Sequence, residues 1–214
     1  VINWSYCVSN GYLVFIPDVV FRKGEPGASS YDAVVSGVKS LIDRYDFIDK
    51  DRIALNGHSW GGYQIAFLVT RTNMFKAAVS GAPVVNMTSA YGGIRWESGK
   101  SRMFQYEQTQ SRIGGTLWDK PAEFIRNSPL FFLPQVQTPV LIMHNDKDGS
   151  VMWEQGIEFF MALRRLDKPV WLFNYKGEGH HLKKWENRLD YSRRVMEFYD
   201  YYLKDGKKPE WMKS

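Results

Sequence analysis

Cysteine is nearly absent: the 214 residues hold one, Cys7. A single thiol excludes an internal disulfide and any multi-cysteine metal site, and it leaves the redox compartment open. The residue reads as a small buried hydrophobe. Long apolar runs are also lacking. The longest, such as Tyr12 to Ile16 and Val140 to Met143, fall far below the roughly 18 residues a membrane-spanning helix needs, so no membrane span is expected. Histidine is scarce, at four. The four do not follow a metal-ligand spacing and no phosphate-cradling glycine loop is present, so neither a metal nor a cofactor is expected. Charge of one sign does not dominate either: Lys and Arg number 28 against 23 Asp and Glu, a formal net charge of +5. The basic pairs Arg22-Lys23, Arg164-Arg165, Lys183-Lys184, Arg193-Arg194 and Lys207-Lys208 are scattered among carboxylates. No nucleic-acid motif accompanies them, which is the pattern of solvated surface rather than a nucleic-acid interface.

What is present suits a packed core. Hydrophobic residues make up 44%, aromatics 15% and charged residues 24%, a balance that excludes a disordered chain and suffices for one globular domain over residues 1–214. The chain opens on Val1 and shows no basic stretch followed by an apolar leader, and it is expected to be part of a longer protein.

Periodicity gives strands and helices in alternation. The run Gly11 to Pro17 is apolar, β-branched and aromatic, bounded by Gly and Pro, and reads as a buried strand. A Gly/Pro/Ser loop follows. From Ser30, apolar residues at Val34, Val35, Val38, Leu41, Ile42 and Tyr45 share one helix face, with Ser29 or Ser30 available as cap. Further strands are expected at 52–56, 76–80, 138–143 and 170–175, with helices at 64–72, 153–166 and 185–203. In the last of these helices Leu189, Met196, Tyr199 and Leu203 fall on one face. Serial alternation of this kind means a mostly parallel sheet covered by helices on both faces, an α/β fold. The stretch from Gly81 to Thr138 is too long for a simple connection and is expected to form its own helices, an insertion over about 84–137.

Gly57-His58-Ser59-Trp60-Gly61 matches G-x-S-x-G, in which a serine sits on a sharp strand-to-helix turn with its hydroxyl exposed. The context agrees: a short β-type run, Arg52 to Asn56, leads in and a helical pattern leads out. Gly57 and Gly61 are expected to permit close strand-helix packing, with Gly62 adding room. A serine hydroxyl is a poor nucleophile at neutral pH and needs a histidine base oriented by a carboxylate, in chain order Ser, Asp, His. Asp146 and Asp148 follow the strand at 138–143, and His180 and His181 follow the last strand, so all converge on the carboxyl edge of the sheet. Spacing alone does not choose within either pair. His58 is expected to point away from Ser59, and His144 to make a structural hydrogen bond.

These motifs together resemble the prolyl oligopeptidase family of serine peptidases, which has an α/β-hydrolase catalytic domain. The family's elbow is similar to Gly57-His58-Ser59-Trp60-Gly61-Gly62-Tyr63, and its acid loop resembles His144-Asn145-Asp146-Lys147-Asp148-Gly149-Ser150-Val151, which selects Asp148. The family's Glu-Gly-His resembles Glu178-Gly179-His180, which selects His180. The resemblance implies a Ser59, Asp148, His180 triad that hydrolyses peptide bonds of short peptides, be they dipeptidyl, acylaminoacyl or oligopeptide substrates, through an acyl-enzyme. It further implies that the Trp60 N–H is an oxyanion donor, and that Tyr63, Val84, Met87 and Tyr91 line a substrate pocket. A homo-oligomer fits the family, as does a periplasmic or secreted location, though no residue here carries the latter.

The resemblance also marks what this chain lacks. In the family the second oxyanion donor follows a strand that precedes Gly11, and that strand lies between those read at 11–17 and 52–56. The first strands of the fold and the family's β-propeller have no counterpart here. Either another chain supplies the strand, or the sheet has rearranged, or these residues are only part of what folds. The competing readings are a carboxylesterase on the same fold, and an inactive fragment without a complete oxyanion hole.

Overall fold

The computed structural model describes residues 3–213. Its elements, in chain order, are α1 (Trp4–Ser9), α2 (Pro26–Arg44), β1 (Ala54–His58), α3 (Trp60–Val69), β2 (Ala77–Gly81), α4 (Met87–Tyr91), β3 (Ile94–Arg95), β4 (Lys100–Ser101), α5 (Met103–Glu107), α6 (Pro121–Arg126), a 3-10 turn (Pro129–Gln135), β5 (Val140–Met143), α7 (Trp153–Arg165), β6 (Val170–Phe173), α8 (Trp185–Leu203) and a second 3-10 turn (Glu210–Met212). The main sheet has the order β1-β2-β5-β6 with every pair parallel. A separate antiparallel pair, β3-β4, lies in the long excursion between β2 and β5.

Successive strand side chains point to opposite faces, and this divides the core. Leu55, Ala78, Val140, Ile142 and Val170 face α2, α3 and α7, where Val38, Ile65, Leu68, Phe159 and Leu163 close one cluster. Ala77, Val79, Leu141 and Met143 face α8, meeting Tyr191, Val195, Phe198 and Leu203, with Cys7 buried beside them. All four residues of β5 are fully buried, so this strand reads as one continuous apolar run. A third cluster, of Tyr63, Phe67, Val84, Met87, Ala90, Tyr91, Tyr106 and Phe124, joins α3 to the excursion.

Three expectations are corrected. First, residues 12–17 form no strand. Leu13, Val14, Phe15 and Ile16 are exposed, Leu13 at 72%. The reason is topological: β1 ends the sheet on this side, so the segment has no neighbouring ladder for its N–H and C=O groups and no second layer for its side chains. It runs instead from α8, where the Tyr12 hydroxyl donates to Asp200 Oδ1 at 2.6 Å, to α2, where Phe15 lies over Gly37. Second, α2 starts at Pro26, ahead of the two serines proposed as caps. Proline at the first turn loses no helical hydrogen bond and presets φ. Ser29 Oγ and Ser30 Oγ instead donate back to Glu25 O (2.7 Å) and Pro26 O (2.9 Å). Third, Met196, Tyr199 and Leu203 are buried on α8, but Leu189 is exposed. Smaller shifts of one to four residues move β1 to Ala54–His58 and the start of α3 to Trp60.

Candidate active site

β1 delivers its chain directly into α3 with one residue, Ser59, between them. Ser59 adopts φ 61°, ψ −116°, a strained backbone for an L-residue that only surrounding packing can hold. Its N–H donates to Gly81 O of β2 at 2.7 Å, and its carbonyl accepts from Tyr63 N at 3.0 Å. Gly57 and Gly62 make the turn possible. A Cβ on Gly57 would lie 2.3 Å from Gly61 O, and one on Gly62 would lie 2.3 Å from Gly81 O. Gly61 corrects the expectation placed on it: a Cβ there would meet only Gln64 Oε1, at 3.9 Å. Its backbone is what Gly57 accommodates. Trp60 is the first helical residue, so its N–H has no carbonyl one turn earlier to bond.

Two loops from the same sheet edge complete the arrangement. After β5, Asp148 is buried with its carboxylate fully engaged. Oδ1 accepts from Ser150 N and Val151 N, both at 2.8 Å. Oδ2 lies 2.7 Å from His180 Nδ1 and 3.3 Å from His144 Nε2. Burial pushes this carboxyl upward, but hydrogen bonds from His144 and His180, the His180 charge and the Val151 N–H outweigh it and hold it below the usual carboxylate range. After β6, His180 Nε2 sits 2.8 Å from Ser59 Oγ. With Nδ1–H given to Asp148, Nε2 carries the lone pair that faces the serine hydroxyl.

Within the pairs left open by spacing, Asp146 and His181 stand apart from this chain of bonds. Asp146 Oδ1 accepts from Gly177 N at 2.7 Å and braces the histidine loop. His181 is exposed, its ring 4.7 Å from that of His58. His144 Nε2–H donates to Val151 O at 3.1 Å. Tyr63, Val84, Met87 and Tyr91 come together in the third apolar cluster, where Trp60 stacks on Tyr63 with centroids 4.4 Å apart. Tyr63 and Met87 are fully buried there. The Trp60 Nε1 and Tyr63 hydroxyl have no hydrogen-bond partner among the described residues.

Several positioning residues were not anticipated. Glu178 is buried, its Oε2 accepting from Lys183 N (2.8 Å) and its Oε1 from Lys184 N (3.0 Å) and Asn187 Nδ2 (2.7 Å). Burial opposes its charge, yet these donors hold its carboxyl below the ordinary range. It thereby ties the His180 loop to the first turn of α8, a helix start that favours a carboxylate. Asn145 links the two loops, donating to Gly179 O at 2.8 Å and accepting from Tyr175 N at 3.1 Å. Gln155 Oε1 accepts from Val85 N and Asn86 N, fixing the segment before α4. The only sequence signal for these residues was place: Asn145 and Glu178 stand inside the quoted acid and histidine motifs, and Gln155 lies four places after Val151.

A parallel sheet flanked on both faces, with Ser, Asp and His loops meeting at its carboxyl edge, defines an α/β-hydrolase fold. The model of the prolyl oligopeptidase family matches residues 3–206, and the chain belongs to that family of serine peptidases. The peptidase YuxL of Bacillus subtilis is 31% identical over 166 residues, covering 76% of this chain and 23% of that protein. The acylamino-acid-releasing enzyme of Rattus norvegicus is 28% identical over 169 residues, covering 78% and 22%. In fold, the chain is similar to the acylaminoacyl peptidase of Pyrococcus horikoshii, with TM-score 0.76 and 20% identity over 90% of this chain and 30% of that one. The chain thus spans under a quarter of the length of these two curated relatives. No helix among the described residues is long and apolar enough to cross a membrane.

Proposed function

We propose that this protein hydrolyses peptide bonds of short peptides, acylaminoacyl or dipeptidyl in kind, with residues 1–214 as its catalytic domain. The observation that carries the reading is the unbroken chain Ser59 Oγ, His180, Asp148, with links of 2.8 and 2.7 Å. Ser59 is the nucleophile. As Oγ attacks the scissile carbonyl, its proton passes to His180 Nε2, and Asp148 stabilises the imidazolium that forms without taking the proton. The negative charge on the carbonyl oxygen is met by the Trp60 N–H, left free by its place at the helix start. His180 then returns the proton to the departing amine. A water, deprotonated by the same Nε2, releases the acyl group and restores Ser59. Tyr63, Val84, Met87 and Tyr91 are packed in the buried apolar cluster beside Trp60, and an uncharged residue before the scissile bond suits a pocket that opens against that cluster.

The test compares acylaminoacyl and dipeptidyl anilides with short acyl esters as substrates of the purified protein. The proposal expects amide cleavage that disappears in Ser59→Ala. Ester cleavage with no amide cleavage would overturn it.

A further inference from the structure

The four histidines follow no metal-ligand spacing along the chain, yet folding brings three of them together. His58 precedes the nucleophile on β1, and His180 and His181 are consecutive on the loop after β6. One ring nitrogen from each lies within 4.8 Å of the other two. The rings pack with centroids 4.9 Å apart for His58 and His180, 4.7 Å for His58 and His181, and 4.8 Å for His180 and His181. We propose that these three histidines form an inhibitory site for a divalent transition metal of the zinc class.

Three observations carry the proposal. First, both ring nitrogens of His58 are buried without a hydrogen-bond partner among the described residues. A buried polar group left unsatisfied is costly and marks a missing partner. Its Nδ1 lies against Gly81, a Cβ on which would sit 2.6 Å away, so Nε2 is the nitrogen open to a ligand. Second, His180 is already held as zinc-binding histidines are held: its Nδ1–H is given to a buried carboxylate, Asp148, at 2.7 Å, which fixes the tautomer and strengthens the opposite nitrogen as a donor. Third, His181 is exposed and lines a cavity of about 450 Å³ with Leu182, Trp185, Arg188 and Tyr191, so one of the three ligands meets solvent directly. Zinc takes imidazole nitrogens at about 2.0–2.1 Å, which in a tetrahedron sets them about 3.4 Å apart. The nitrogens, within 4.8 Å of one another, must therefore close in by up to about 1.4 Å, with the exposed His181 moving onto the His58–His180 pair and that pair itself adjusting. Water completes the fourth position.

The consequence follows from electron bookkeeping. The His180 Nε2 lone pair that accepts the Ser59 hydroxyl hydrogen bond is the same pair the metal would take. Ser59 keeps its proton and loses its base, and removal of the metal restores both. This consequence rests on the proposed role of His180 as base, but the binding itself does not.

The experiment has two arms on the tag-free protein. In the first, cobalt(II) serves as a spectroscopic probe and zinc as its competitor. The expected result is a tetrahedral cobalt absorption at one equivalent, displaced by zinc and weakened at least tenfold in affinity in His58→Gln and in His181→Gln. The second variant changes an exposed side chain and keeps the fold. Equal affinity in parent and His181→Gln, or no cobalt spectrum in the parent, would overturn the site. In the second arm, the rate of fluorophosphonate labelling of Ser59 is measured with zinc and with chelator. At least a tenfold slowing by zinc, reversed by chelator and lost in His181→Gln, is expected, and an unchanged rate at saturating zinc would overturn inhibition. A serine that fails to label without metal would speak against the catalytic reading alone, leaving the cobalt arm to judge the site.

Discussion

Two apolar runs of nearly the same composition meet opposite fates. Val140-Leu-Ile-Met143 is buried to the last atom, whereas Leu13-Val-Phe-Ile16 lies open to solvent. Neither β-propensity nor hydrophobicity separates them. The first sits between β2 and β6 and under helices on both faces, and the second faces the edge where β1 has no further strand. A strand's burial is thus a property of its neighbours. The carboxyl edge shows what neighbours supply: Asp148, Asn145, Glu178 and Gln155 together accept or donate across loops from β2, β5 and β6, so the side chains of Ser59, Asp148 and His180 are held by elements that are themselves buried. At the β1 edge the bonds from Asn56, Tyr199 and Arg52 tie β1 and its lead-in to α8, and they leave the side chains of residues 13–16 uncovered.

The comparison is sharpened by substitutions, taken in order of expected effect. At the strapped edge, Ser59→Ala should lower turnover by about 10⁶-fold, and residual activity near that of the parent would break the assignment. Asp148→Asn should retain the fold by circular dichroism while lowering kcat by about 10⁴-fold, because the wrong His180 tautomer then faces Ser59. Leu141→Ala, in the fully buried strand, should cost about 2–5 kcal/mol in urea denaturation. Glu178→Gln keeps the shape but removes the charge that three donors surround, and should cost about 1–3 kcal/mol at neutral pH. Its sign with pH is fixed. The folded carboxyl titrates below the unfolded one, so its contribution is present above the unfolded value and lost as pH falls through the folded value. The gap in melting temperature between parent and variant should therefore narrow in acid. Leu13→Ala should change stability by less than about 0.5 kcal/mol. A cost similar to that of Leu141→Ala would show that the segment is buried in the native protein and erase the contrast.

Much of this was legible in the residues. The alternation of periods gave the order of the sheet's helices and strands, because each such element carries its own pattern. G-x-S-x-G located the turn at Ser59, since few sequences allow a strand to enter a helix through one strained residue. The acid and histidine loops were located by position, but the choice of Asp148 over Asp146 came from resemblance, because one-residue and two-residue offsets in a loop decide side-chain direction only after folding. The strand at 11–17 was misread for the reason given above: its local pattern is right and its partner is outside any local window. The glycine reading at Gly61 failed for a related reason, since the crowding at that turn falls on Gly57 and Gly62. The meeting of His58 with His180 and His181 joins positions more than 120 residues apart, and only the parallel register of β1, β2 and β5 with β6 brings them to one edge. Glu178 was quoted in a motif, yet its part as the strap of α8 needed the loop's path.

The central claim is that Ser59 is an activated nucleophile, and fluorophosphonate labelling with the modified peptide mapped by mass spectrometry tests it most directly. The account predicts a single adduct on Ser59, slowed severely in His180→Ala and Asp148→Asn. A well-folded protein that takes no label, or takes it on another serine, would contradict it.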